Sequence, residues 1–384
     1  MSRPSRRRFL KHSLALAATL PLAPSGLARA FSHVASVPRR GAIESVAIAR
    51  CRTYADVEVH AALRKCFDLV GGVGPLVNGK TVTVKLNLTG QDFSPFLQLP
   101  IGETYMTHYA TAYHLAALLF GAGARRVRFV ESTGRRTPLE PTLVEAGWDL
   151  NALNMLGTMA YENTRNRGSF DSYAHLKVPS GHMFSSFEVN RAYADTDVLV
   201  SLAKLKQHDT AGVTLTMKNM FGITPNSMYG GKAGDEDSTA GRGAIHDPRR
   251  YIDLELPGLK PDFQSTQAGV RVPCTVADLS AARLVDLAII DGISSITGGE
   301  TRYSAGPKMH VIRPGVLIAG RNPVSVDTVG TSIMGFDPRA NRAGVFARCE
   351  NHLLLAEQKG LGTADLPRID VRGLTLDEAR SPYA

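Results

Sequence analysis

Residues 195–223, DTDVLVSLAKLKQHDTAGVTLTMKNMFGI, constrain most strongly what this chain can fold into. Val198, Leu199 and Val200 follow Asp195 and Asp197 as a short apolar run, the pattern of a buried strand. Lys204, Lys206 and His208 then recur at intervals of two, so an extended backbone directs all three to one side. A helical segment from about residue 209 places Thr214 and Lys218 four apart on one face, with Asn219 next to Lys218. Three lysines, a histidine and an asparagine thus crowd one strand-to-helix corner, and Asp209 is the acidic residue among them. Lysines that close a strand are ordinarily just solvated. Here Leu202, Leu205, Val213, Leu215, Met217, Met220 and Phe221 embed the corner in core. So many buried donors call for an anion.

The rest of the chain alternates in the same way. Strands are expected at 43–49, 81–88, 127–130, 287–290, 316–319 and near 369. Helices are expected at 56–70 (capped by Asp56), 105–120, 275–285, 323–334 and 352–359. Residues 139–170 read as short helices around Trp148, a core residue, and 174–190 as a small antiparallel excursion. This is an α/β fold with a largely parallel or mixed sheet flanked by helices, in one large domain or two intimate subdomains. In such sheets ligands bind outside the carboxyl ends of the strands. Four candidate strands end in polar residues: Lys85 and Asn87, Glu131, the Lys204–Lys206–His208 set, and Asp291.

Glycines mark the loops. Gly71, Gly72 and Gly74 follow a helix rather than a strand, so they read as a C-cap and turn, not a dinucleotide fingerprint. The glycine-rich stretch 229–243 is either a solvated surface loop or a lid over the lysine corner. Its Asp235, Glu236 and Asp237 read as solvated, His246 closes it, and Asp247–Pro248 caps the next helix. A second glycine-rich loop spans 298–307.

Ser5-Arg6-Arg7-Arg8-Phe9-Leu10-Lys11 matches the twin-arginine export pattern, and a short apolar region and Ala28-Arg29-Ala30 complete a signal peptide. Export by this route to the periplasm or cell exterior is expected, with cleavage before Phe31. Residues 1–30 are then the leader, 31–42 a linker and 43–384 the α/β domain. The apolar region is too short for a stable membrane anchor. Of 44 basic and 35 acidic residues, six basic ones lie in 1–30, leaving 38 against 35. That near balance, without a basic run interleaved with aromatics, excludes nucleic acid as a partner. Cys51, Cys66, Cys274 and Cys349 show no metal or cluster spacing and read as small buried residues, although three disulfide connectivities stay open.

The corner supports two functional readings. In the first, Lys85, Lys204, Lys206 and Lys218 hold a small carboxylate or phosphate. Asn87, Asn219, Thr214 and His246 complete the ligand contacts, His208 is the acid/base, and Asp291 orients His208 or a lysine. Lys206, crowded by other cations, has a depressed pKa and serves as nucleophile or base. In the second, the protein is a non-catalytic accessory or binding partner of a redox enzyme. The motifs G-x-S-x-G, H-E-x-x-H and G-x-x-x-x-G-K-[ST] are absent, and these residues assign no cofactor. His208, His246 and Asp291 have no recognisable metal-ligand spacing, so no metal is assigned.

The segment LVSLAKLKQHDTAGVTLTMKNMFGI resembles the signature of the domain of unknown function 362 family. VKLN at 84–87, AIIDGI at 288–293, and VSVDTVG and MGFDP near Asp327 and Gly335 extend the resemblance over about 80–340. It implies no reaction, because the family has no general assigned one. Many relatives carry a ferredoxin-like domain with iron–sulfur cysteines; this chain lacks that cysteine run, which implies no intrinsic cluster. A distant architectural kinship with nickel-pincer lactate racemases is also expected, with no motif matched and no role carried over.

Overall fold

The computed structural model describes residues 44–136, 138–251, 254–304 and 308–383. The expected leader and linker lie outside these. Eight strands form the central sheet: β1 (Glu44–Arg50), β2 (Thr81–Lys85), β3 (Arg126–Glu131), β4 (Met159–Asn163), β5 (Val198–Lys204), β6 (Leu287–Gly292), β7 (Val316–Gly320) and β8 (Ile369–Gly373). Their order is β8-β1-β7-β6-β5-β2-β3-β4. β7 runs antiparallel to β1 and β6, and every other neighbouring pair is parallel. The sheet is therefore mixed.

Both faces are covered, which is why β2, β5, β6 and β7 are buried along their whole length. The helices are α1 (Asp56–Leu69), α2 (Tyr109–Gly121), α3 (Leu215–Asn219), α4 (Ala268–Ala282) and α5 (Pro323–Ile333). In β5, Val198, Val200 and Leu202 join the core made with α1 and α2, while Leu199 joins the core made with α4 and α5. The two-residue period of the strand thus divides one sequence between two cores.

Three local expectations change. Ala55, not Asp56, is the N-cap of α1, and Asp56 is its first residue, a carboxylate well placed in the helix dipole. Residues 159–163 form strand β4, not part of a helix; as a half-buried edge strand it lacks apolar alternation. The segment after Lys206 is a short hairpin of Gln207–His208 with Gly212–Val213, and α3 begins only at Leu215. Asp247–Pro248 caps a single 3-10 turn, Pro248–Arg250, where a longer helix was expected. The antiparallel excursion is present as Tyr173–Lys177 against Ser186–Asn190, and the four cysteines are buried and unpaired.

The connectivity creates a crevice. From β2 the chain steps outward to β3 and β4, then returns to β5 on the other side of β2 and continues to β6. The strand order reverses between β2 and β5, and ligands of open α/β sheets bind at such a point.

Candidate functional site

A cavity of about 190 Å³ lies at the carboxyl ends of β2, β3 and β5. Lys85, the last residue of β2, is buried and ion-paired with Glu131, the last residue of β3. Its ammonium also donates to the Leu86 carbonyl at 2.7 Å. Glu131 accepts from the Leu88 and Ser132 backbone N–H groups at 2.6 and 2.7 Å. Burial depresses the Lys85 pKa and Glu131 opposes the shift. Gly222 leaves room here, because a Cβ would stand 3.2 Å from the Lys85 ammonium.

The other cations of the wall have no carboxylate attached. Lys206 donates to the Glu300 carbonyl at 3.1 Å and to Thr89 Oγ1 at 3.4 Å. Burial, helped by the Lys218 and Lys204 charges and opposed by Glu300, lowers its pKa to about 7. Lys218, in α3, makes no hydrogen bond or ion pair among the described residues; its ammonium lies 4.5 Å from the centre of the Phe221 ring. Burial brings its pKa to about 8. Arg242 spends its donors on the Thr224 carbonyl at 2.6 Å, Ser132 Oγ at 2.6 Å and the Gly222 carbonyl at 2.8 Å. Four cationic side chains thus face two carboxylates, Glu131 and Glu300. Isolated buried cations are costly, and an anion removes that cost.

His208 lines the cavity, but both ring nitrogens are occupied. The Thr210 N–H donates to Nδ1 at 3.2 Å, so the proton resides on Nε2 and faces Glu300 Oε2 at 2.9 Å. Burial and the neighbouring Lys218 charge lower its pKa to about 4. Burial alone would raise the Glu300 pKa, yet His208, Lys218 and Lys206 hold it at about 2. His208 therefore orients Glu300, and Lys206 is the better-placed group for proton transfer.

Thr214, Asn87 and Asn219 also line the cavity. Asn219 Nδ2 donates to the Lys85 carbonyl at 3.3 Å and to Ser201 Oγ at 3.1 Å. Asn87 is tied to Thr89 Oγ1 at 3.2 Å. The corner itself is held from behind. Asp327, fully buried in α5, accepts from the Thr216 and Met217 N–H groups at 2.9 and 2.8 Å and from the Thr216 hydroxyl at 2.5 Å. It fixes the first turn of the helix that carries Lys218 and Asn219. Leu215 enters that turn at φ +43°, a left-handed conformation that costs a leucine on the order of 1–3 kcal/mol.

Three expected site residues lie elsewhere. Lys204 shares the parity of Val198, Val200 and Leu202, so it points toward α1 and α2. There it pairs with Asp291 at 3.3 Å and donates to Tyr54 Oη at 2.7 Å and the Gly102 carbonyl at 3.0 Å. The ladder ends at Lys204, and the interval of two no longer describes the residues beyond it. Asp291 is consumed by Lys204, Tyr54, Thr111 and the Ile293 N–H, so it orients neither His208 nor Lys206. His246 accepts or donates at the Arg242 carbonyl at 2.9 Å and packs its ring on Phe221, outside the cavity lining. Among the described residues, no three His, Cys, Asp or Glu side chains gather as metal ligands.

The glycine-rich loops contribute residues that periodicity does not reveal. The first supplies Arg242. Its Glu236 is not simply solvated: it pairs with Arg167 at 3.2 Å and accepts from Tyr173 Oη at 2.8 Å. The second supplies Glu300.

The family model described as domain of unknown function (DUF362) matches residues 82–332. A thylakoid-associated protein of Synechocystis sp. is 25% identical over 308 residues, covering 77% of this chain and 76% of that protein. A crystal structure of a Thermotoga maritima protein aligns at a TM-score of 0.36 and 11% identity, over 79% of this chain and 59% of that one. The lactate racemase apoprotein of Thermoanaerobacterium thermosaccharolyticum aligns at 0.37 and 13%, over 70% and 54%. This chain spans a little over half the length of each of these two structures, and likenesses at that score carry no assignment of function.

Proposed function

The chain belongs to the domain of unknown function 362 family, a membership that specifies no reaction, and we propose from the cavity itself that the protein binds a small carboxylate or phosphate. The observation that carries this reading is the trio Lys206, Lys218 and Arg242, three cations without a carboxylate partner around about 190 Å³ of space where the strand order reverses. Lys218 and Arg242 hold the charge. Lys206, with a pKa of about 7, exists in part as the free amine near neutrality and accepts a proton from the bound molecule or attacks it. Glu300, locked by His208, sets the electrostatic balance of the two lysines.

Isothermal titration calorimetry with inorganic phosphate and acetate tests the clamp. Lys218→Met removes one charge-assisted contact worth about 1.5–3 kcal/mol, so the dissociation constant should rise at least about tenfold. Affinities unchanged in both Lys218→Met and Lys206→Met would overturn the assignment. We further propose that the protein works outside the cytoplasm, on the strength of the Ser5–Lys11 pattern. Intact-mass analysis of exported protein should give a chain starting at Phe31, and Arg6→Lys/Arg7→Lys should retain the precursor in the cytoplasm. Export of the double variant at the normal rate would exclude this route.

A further inference from the structure

One strand over on the same edge of the sheet lies a larger basin of about 720 Å³ that the anion clamp does not use. The two spaces are neighbours. Glu131, in the wall of the small cavity, is the register partner of Asn163, in the wall of the basin, so about 4.8 Å of sheet separates them. A single molecule can occupy both. The small cavity admits only a charged head, whereas the basin has the size that organic ligands use.

The chemistry of the basin differs from that of the clamp. Its lining has five carboxylates against three guanidiniums, which disfavours a second anion. Two buried polar atoms on these side chains have no partner: Arg165 Nε, a donor on a residue only 7% exposed, and Glu140 Oε2, an acceptor. Unsatisfied buried polar atoms are rare in folded proteins and need a reason. One calls for an acceptor and the other for a donor, and a hydroxyl group is both. Tyr161 and Phe170, half-buried in the same lining, offer apolar ring faces to the carbon-bound hydrogens of such a molecule.

We propose that the basin receives the uncharged, polyhydroxylated body of the ligand whose anionic head enters the lysine cavity, so that the ligand is a sugar phosphate or a sugar acid. This rests on the anion-binding reading above and adds the nature of the rest of the molecule.

Calorimetry at fixed ionic strength with four probes tests it: inorganic phosphate, glucose 6-phosphate, gluconate and hexanoate. Gluconate and hexanoate share chain length and charge and differ in hydroxyls. The wild-type protein should bind glucose 6-phosphate at least about tenfold tighter than phosphate, or gluconate at least about tenfold tighter than hexanoate, and the pair that shows the gain identifies the source of the head group. Arg165→Lys and Glu140→Gln should bring that ratio close to one while inorganic phosphate binds as before, which also certifies that the variants are folded. Equal affinities within both wild-type pairs, or a ratio that survives both variants, would overturn the inference. Failure of the wild type to bind any of the four would instead remove the anion clamp, and this inference with it.

Discussion

Replacing Lys204 by Met separates stability from binding at this site. Both members of the Lys204–Asp291 pair are fully buried, and the ammonium is 3.3 Å from the carboxylate. Without it, Asp291 keeps Tyr54 Oη at 3.0 Å, Thr111 Oγ1 at 3.1 Å and the Ile293 N–H at 3.1 Å, but its charge has no counter-ion. Stranding one partner of a buried pair costs roughly 3–5 kcal/mol. Unfolding entropy of roughly 2.1 cal/mol/K per residue gives roughly 0.7 kcal/mol/K for a domain of this size, so the melting temperature should fall by roughly 4–7 °C. Lys204 does not line the cavity, so phosphate affinity should stay within about twofold of wild type at temperatures where both proteins are folded. Lys218→Met should do the reverse, losing affinity with little change in melting. Removing both charges, Lys204→Met/Asp291→Leu, should recover more than half of the stability lost. Differential scanning calorimetry and isothermal titration calorimetry on the same samples give both readouts. If Lys204→Met weakens phosphate binding as much as Lys218→Met and melts within about 1 °C of wild type, the placement of Lys204 outside the clamp is wrong.

The lysine pKa values make two pH trends of opposite sign. Lys206 at about 7 and Lys218 at about 8 lie below their unfolded values, so above pH 7 the unfolded chain binds more protons than the folded one. The contribution of these groups to stability therefore rises from about pH 7 toward the unfolded lysine pKa near 10, whereas acetate affinity, which needs the ammonium forms, falls across about pH 7 to 8. Calorimetric titrations between about pH 6 and 9 check the second trend, and affinity that is flat or rising there contradicts it. Asp327→Ala should destabilise the protein by about 1–2 kcal/mol through the lost helix cap and also weaken phosphate binding, since Lys218 and Asn219 ride on that helix. Urea denaturation paired with calorimetry measures both, and a stability loss with intact affinity would show that Asp327 has no part in positioning the clamp.

Much of the sheet was legible because its strands are short apolar runs bounded by charge or glycine, and a sheet covered on both faces requires such runs. Strand β4 was not, since an edge strand half in solvent leaves no apolar pattern in MAYEN. The lysine corner was legible for an electrostatic reason: Lys206 and Lys218 stand in apolar sequence without acids nearby. Where Lys204 points depended on where hydrogen bonding to β6 stops, which no local pattern states. Arg242 and Glu300 enter the cavity from glycine-rich loops, whose residues lack the periodicity that marks a face. Asp327 was visible only as a residue in a helix. That its carboxylate caps a different helix, more than a hundred positions earlier in the chain, is a tertiary fact.

The place of β1 in the sheet bears on how the molecule is made. Its two hydrogen-bonding partners, β7 and β8, both come from the last fifth of the sequence, with Val46 opposite Gly320 and Glu44 opposite Ile369. The first strand to be synthesised thus has no native neighbour until nearly all of the chain exists. At about 5–20 residues per second, that interval is on the order of 15–55 s. During it the apolar VAIA run of β1 presents an unpaired edge, a template for association with other nascent chains. Contacts this distant in sequence also slow the final docking step, since a long loop must close before any pairing rewards it. Yield in the cell should therefore respond more to chaperone supply and synthesis rate than the stability of the finished fold alone would lead one to expect.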